Sequence, residues 1–400
     1  MNPVNNPFAP GAGNRPPELA GRHDILEKIN VAIQRIKAGR ADRSPLIVGL
    51  RGVGKTVLLV EIQRIADTAG CQTAMVEAQE NTPITHLLVP PLRKILLALD
   101  ATKAAGDMAM RGLRVLKSFL SGLRFSVGEL EISIDYPPEK GVADSGLLDM
   151  DLTDVFVALG EAARAARTAA VVIIDELQYL SEAELGALIM AAHKVSQQQL
   201  PVVLVGAGLP QLTGNTGRAK SYAERLFVFP RLDALSEADS ATALQEPVRA
   251  ANVVFTADAL AEIFRQTKGY PYFLQEWGFQ SWNAAATSPI GLEVVQEAGK
   301  AAIANLDESF FRVRFDRLTP REQDYLRALA ELGGGAQRSG EVARLLGVQS
   351  ENVAPLRASL IAKGMIYSPR HGETAFTVPL FDEFMKRVMP VLGRKTPTDK

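Results

Sequence analysis

Cysteine is almost absent from this chain of 400 residues: there is one, Cys71, which excludes an internal disulfide and a cysteine-cluster metal site. Histidine is nearly as scarce, at four, so a His-rich metal centre is not expected. No apolar run approaches the roughly 18 residues that a membrane helix needs, which argues against membrane association. The N-terminal stretch MNPVNNPFAPGAG has neither a positive segment nor an apolar one, so it does not read as a secretory signal. An excess of charge is missing too. Lys and Arg number 44 against 45 Asp and Glu, a net charge of −1. That rules out a globally basic nucleic-acid coat and an acidic disordered tail of any length. There is no internal repeat. What remains is a chain that is 47% hydrophobic, long enough for two or three domains with a sizeable core. The expectation is a soluble cytoplasmic protein.

The balanced charge hides an asymmetry. Residues 309–400 hold 15 basic and 10 acidic residues, a net of +5, which leaves −6 for the rest. The sequence pattern changes at the same place. Residues 1–18, rich in Pro, Asn and Gly, predict an extended arm. From 19 to 235 short apolar segments (45–48, 72–78, 169–174 and 201–205) alternate with helical periods over 23–38, 56–69, 151–167, 182–197 and 218–226. Near-continuous apolar strands between helices predict a parallel sheet covered on both faces. An insertion over 80–150 interrupts this order, with helical stretches around 84–100 and 107–123 and an alternating segment, 124–136, that predicts a hairpin. Residues 236–308 read as helical throughout, broken at Gly269-Tyr270-Pro271 and Pro289.

Two motifs carry chemistry. Gly49-Leu50-Arg51-Gly52-Val53-Gly54-Lys55-Thr56 follows an apolar strand and opens a helix, the full phosphate-binding P-loop pattern in its required context. Glycines let backbone N–H groups turn toward phosphate oxygens, and the helix N-terminus adds its dipole. Lys55 is positioned to bridge the β- and γ-phosphates of ATP, and the Thr56 hydroxyl to ligate Mg²⁺. The second motif is Ile173-Ile174-Asp175-Glu176, at the end of an apolar strand. Asp175 suits the Mg²⁺ shell and Glu176 a general base acting on water. An acidic pair also complements a helix N-terminus, but a complete P-loop upstream favours the catalytic reading.

In this order of motifs the chain resembles the AAA+ ATPases, most of all the origin-recognition (initiator) type and the STAND-type signalling ATPases, over residues 17–390. The resemblance implies that Gly21-Arg22, within Glu18-Leu19-Ala20-Gly21-Arg22, frames the adenine. It implies that Pro271, in a Gly-x-Pro segment like that of STAND-type proteins, packs near the nucleotide base. It also makes Arg225 a candidate arginine finger for ATP-dependent homo-oligomers, although an arginine at a helix C-terminus equally complements the dipole. Initiator-type ATPases carry a helical element at the position of the insertion. One departure stands out. The fourth strand of these ATPases ends in a polar sensor residue, whereas here Val205 leads into Gly206-Ala207-Gly208-Leu209. Slow hydrolysis is the expectation.

The C-terminal segment, 309–400, predicts three helices and a two-stranded wing, with helices from Thr319, from Ser339 and over 351–363. In a winged helix the second helix of the pair enters the major groove by its N-terminal end. Gln349, Ser350, Asn352 and Arg357 are the candidates there for contacting double-stranded DNA, with Arg370 and His371 at the wing tip. The net +5 adds phosphate attraction. The alternative is a winged helix that contacts a protein partner, with the chain acting as a slow nucleotide switch.

Overall fold

The computed structural model describes the chain except for residues 12, 15, 101–104, 123–135, 371 and 393–400. The expected hairpin at 124–136 and the wing-tip His371 therefore lie outside the described residues, Tyr136 apart. The chain divides into two compact units. One comprises Arg22–Gly49 and Lys55–Leu232; the other comprises Met1–Gly21, Leu50–Gly54 and Asp233–Lys400.

The first unit contains α1 (His23–Lys37), β1 (Ser44–Gly49), α2 (Lys55–Thr68), β2 (Gln72–Glu77), α3 (Ile84–Asp100) and α4 (Gly106–Gly122). It continues with α5 (Leu148–Ala165), β3 (Ala170–Asp175), α6 (Glu182–Gln197), β4 (Val202–Gly208), α7 (Leu212–Ala219), α8 (Ala223–Leu226), β5 (Phe227–Val228) and β6 (Arg231–Leu232). The strands pair in parallel in the order β2-β3-β4-β1-β5, with β6 also on β1. β3 and β4 are buried at every position, as a sheet covered on both faces requires. The two helices of the insertion, α3 and α4, join the same core through residues such as Leu88, Leu92, Leu116 and Phe119.

Two details differ from the sequence expectation. The helix expected over 218–226 is two short ones. α7 starts earlier, with Leu212 and Thr216 buried one turn apart, and stops where Lys220 turns extended. β4 runs on through Gly206–Gly208 instead of ending at Val205, because three residues without bulk continue its register against Leu46, Ile47 and Val48 of β1.

The second unit contains α9 (Glu237–Arg249), α10 (Ala257–Thr267), α11 (Pro271–Ala284) and α12 (Leu292–Asn305). A π-helical turn, Leu306–Phe311, carries α12 straight into α13 (Arg312–Phe315). The boundary expected near 309 thus falls inside a continuous helical run. The reason is an aromatic cluster. Phe311 lies 6.0 Å from Phe273 of α11 and stacks at 5.2 Å on Phe384, from the C-terminal end. The N-terminal arm is also tied down: Phe8 is buried, and Asn6 donates through its side-chain amide to the carbonyl of Phe279. Trp277 and Trp282, both on α11, are buried.

Beyond α13 lie α14 (Pro320–Leu332), β7 (Gln337–Arg338), α15 (Ser339–Leu345), α16 (Ser350–Ala362), β8 (Ile366–Tyr367), β9 (Glu373–Phe376) and α17 (Phe381–Val388). The strands form an antiparallel sheet, β7-β9-β8. The third strand and α17 add to the elements expected; Phe381, Phe384 and Met385 bury one face of α17.

Glu322 is the main electrostatic anchor of this segment. Its carboxylate closes a capping box with Thr319 and also accepts from Ser359 and Lys363, at 2.7 Å each. Burial pushes its pKa up, but the Lys363, Ser359 and Thr319 donors outweigh burial and hold it at about 2, against 4.5 for an ordinary glutamate. A depressed carboxyl stabilises the fold above the unfolded value, and that stability is lost as pH falls from 4.5 toward 2. The expected loss over that window is about 3 kcal/mol. Urea unfolding as a function of pH should show it, and Glu322→Gln should flatten the dependence. An unchanged acid slope in the variant would place its origin elsewhere.

Candidate functional site

In the first unit the sheet brings the ends of both motifs together. β3 and β1 flank β4, with Val172 opposite Leu204 and Leu46 opposite Gly206. Asp175, the last residue of β3, is 2% exposed, and its Oδ2 accepts from the Thr56 hydroxyl at the start of α2, at 2.5 Å. Its Oδ1 accepts from the Glu176 N–H at 2.8 Å. Burial raises the Asp175 pKa, opposed by the Thr56 hydrogen bond, while the neighbouring Glu176 charge raises it further. Lys55 is 5% exposed and donates from Nζ to the Gly49 carbonyl at 3.1 Å. A hydroxyl and a carboxylate in contact form a pair of hard oxygen donors that fits Mg²⁺, with phosphate oxygens and water to complete the shell.

The connection after β3 is strained. Glu176 adopts left-handed backbone geometry, φ 54° and ψ 38°, a conformation that costs a non-glycine residue about 1 kcal/mol or more. It leads into a 3-10 turn, Leu177–Tyr179, whose Leu177 plugs against β4. A Cβ at Gly206 would lie 2.3 Å from Leu177 Cδ1 and 2.8 Å from Leu46 Cδ2. A side chain at that position of the strand would have to displace both leucine side chains. Gln178, which the sequence pattern did not single out, lies over the next position on the same face of the strand, Gly208. Its Nε2 donates to Glu176 Oε2, and its Oε1 accepts from the Leu209 N–H at 3.0 Å. A polar residue two places after the acidic pair was the only signal available.

Leu50–Gly54 belongs with the second unit. Gly52 and Gly54 have φ of 80° and 92°, the left-handed geometry that the loop demands of glycine. The Gly52 carbonyl accepts from the Tyr272 N–H at 3.3 Å, next to Pro271 at the first position of α11. The Arg51 N–H donates to the Thr377 carbonyl, one residue past β9, at 3.0 Å.

The remaining candidates lie on other elements of the two units. Gly21 sits at φ 67°, against Asp239 and Leu235, and Arg22 precedes α1, its carbonyl accepting from Leu26. Arg225 is exposed on the four-residue α8. Gln349, Ser350 and Asn352 are exposed at the N-terminal end of α16, and Arg370 is exposed before β9. Arg357 is not turned outward in the same way. Its guanidinium donates to Thr374 Oγ1 at 2.9 Å and to the Glu373 carbonyl at 3.0 Å, fastening α16 to β9.

The strand order, the P-loop and the carboxylate at the end of β3 define a P-loop ATPase of the AAA+ fold. Residues 18–205 match the family of AAA ATPase domains, and the chain carries such a domain. Residues 308–385 match a second family, described as a domain of unknown function (DUF8462). The chain is similar to an uncharacterized HTH-type transcriptional regulator of Methanocaldococcus jannaschii, 22% identical over 384 residues, covering 93% of this chain and 89% of that protein. Two solved structures share the fold, each at TM-score 0.53 and 16% identity. They are a Walker-type ATPase of Pyrococcus abyssi, covering 92% of this chain and 96% of that one, and the Aeropyrum pernix ORC2 protein in ADPNP–ADP complexes, covering 95% and 98%. No helix among the described residues is long and apolar enough to cross a membrane.

The P-loop pattern predicts that Lys55 directs its charge at phosphate. Lys55→Ala should weaken ATP binding by about tenfold or more, through loss of charge-assisted hydrogen bonds, while leaving the far-UV circular dichroism unchanged. Calorimetric titration with ATP checks this; unaltered affinity would remove Lys55 from the site.

Proposed function

We propose that this ATPase couples its nucleotide state to association with double-stranded DNA, through a C-terminal winged helix. Lys55 would face the β- and γ-phosphates, while Thr56 and Asp175 would hold Mg²⁺, which draws charge from the phosphate oxygens when bound. Glu176 would take the proton of the attacking water. Turnover is slow in this reading, because the end of β4 offers no polar side chain to position that water.

The observation that carries the DNA half is the exposed polar turn of Gln349, Ser350 and Asn352 at the start of α16. That is the end a recognition helix inserts into the major groove. The order α14-β7-α15-α16-β8-β9 fits a winged helix, and the HTH-type regulator of Methanocaldococcus jannaschii lends support. Arg370 would meet a phosphate at the wing.

A second reading has its own observation. The Arg51 amide belongs to the loop that cradles phosphate, yet its hydrogen bond goes to the Thr377 carbonyl. That favours a STAND-like switch, in which the C-terminal segment holds the loop and the output is a protein contact.

Salt titration of duplex binding separates the two. Under the DNA reading the wild type binds in at least one nucleotide state, and Arg370→Ala lowers the salt slope by about one unit for each phosphate it no longer neutralises. Arg357→Ala is the poorer probe, since it unfastens β9. A wild type that binds no duplex at low salt in any nucleotide state leaves the switch as the account.

A further inference from the structure

We infer that Gln178 is a positioning residue for hydrolysis, supplying from the turn after β3 the polar link that β4 lacks. The inference rests on the reading of Glu176 as general base. Its carboxamide has both ends engaged: the nitrogen on Glu176 Oε2 and the oxygen on the Leu209 N–H, at 3.0 Å, just past β4. One side chain thus ties the reacting carboxylate to the end of the strand where a polar residue was expected. The carboxylate needs such a tie. Glu176 stands in left-handed backbone geometry ahead of a three-residue 3-10 turn, and its side chain is only partly buried, so packing alone does not fix its orientation. A general base must hold its oxygen within hydrogen-bond reach of the water to be useful.

The strand is shaped around this arrangement. Gly208 lies alongside the carboxamide, and a Cβ there would sit 3.0 Å from Gln178 Oε1 and 3.1 Å from Leu212 Cδ2. With Leu177 packed over Gly206 on the same turn, small residues on β4 admit both members of the turn, one apolar and one polar. The lack of a polar side chain on the strand and the presence of Gln178 beside it are two sides of one packing solution. Gln178 orients the base, not the water, so turnover is sustained but remains slow.

The test uses the full chain and four variants: Gln178→Leu, Gln178→Glu, Glu176→Gln and the Gln178→Leu/Glu176→Gln double. Single-turnover ATP hydrolysis and the ATP dissociation constant are measured for each. Gln178→Leu removes both hydrogen bonds at similar size; Gln178→Glu keeps the shape and loses the donor to Glu176. Both should slow hydrolysis by about tenfold or more with ATP affinity within about twofold of wild type, a split that a merely structural role would not produce. The double variant should be no slower than Glu176→Gln alone, since a residue acting through Glu176 has nothing left to orient. If Glu176→Gln is inactive while both Gln178 variants turn over at the wild-type rate, or if they lose ATP affinity in proportion, this inference falls and the base assignment stands. If Glu176→Gln hydrolyses like wild type, or the wild type does not hydrolyse ATP, both fall together.

Discussion

The hydrogen bond between Thr56 and Asp175, 2.5 Å long across 119 residues of chain, is the interaction on which the rest of the proposed nucleotide site depends. Neither residue can be placed by its own neighbourhood. Asp175 arrives at the end of β3 and Thr56 just beyond β1, and those two strands do not touch each other; β4 lies between them. The bond exists only if both strand pairs, β3 on β4 and β4 on β1, keep register. A slip of one residue would turn the side chains to the opposite face of the sheet. The buried apolar runs of β3 and β4 hold that register, and so packing of ordinary valines and isoleucines sets the chemistry.

The cost of close packing shows at the same place. Leu177 fits against β4, so a side chain at Gly206 would have to displace it and Leu46. The end of that strand, Gly206-Ala207-Gly208, carries no polar side chain, and the turn after Asp175 places Gln178 beside it. Glu176 in left-handed geometry is part of this solution: it reverses the chain sharply enough for Leu177 and Gln178 to face the neighbouring strand.

Most of the sheet could be read directly from the sequence, because β-branched runs such as Ala170–Asp175 and helical periods such as Glu182–Gln197 are local signals. The P-loop and the acidic pair are local too. What was hidden is non-local. Gln178 matters because of Leu209, 31 residues away, and Arg357 points inward because Thr374 lies beside it on another element. The boundary near residue 309 shows the same divide from the other side. The match to DUF8462 begins at 308, but the helix runs through and the aromatic cluster of Phe273, Phe311 and Phe384 spans it. Charge and pattern are read along the chain, whereas packing decides which residues form one compact unit.

The central claim is that Thr56 and Asp175 together form the seat of a Mg²⁺-dependent nucleotide site. Calorimetric titration of ATP into Thr56→Val, with and without Mg²⁺, tests it most directly. Valine preserves the volume and removes the hydroxyl. The account predicts that wild-type affinity rises on adding Mg²⁺, that the variant loses this gain, and that metal-free affinity is the same in both. A variant that keeps the full Mg²⁺ gain would contradict it.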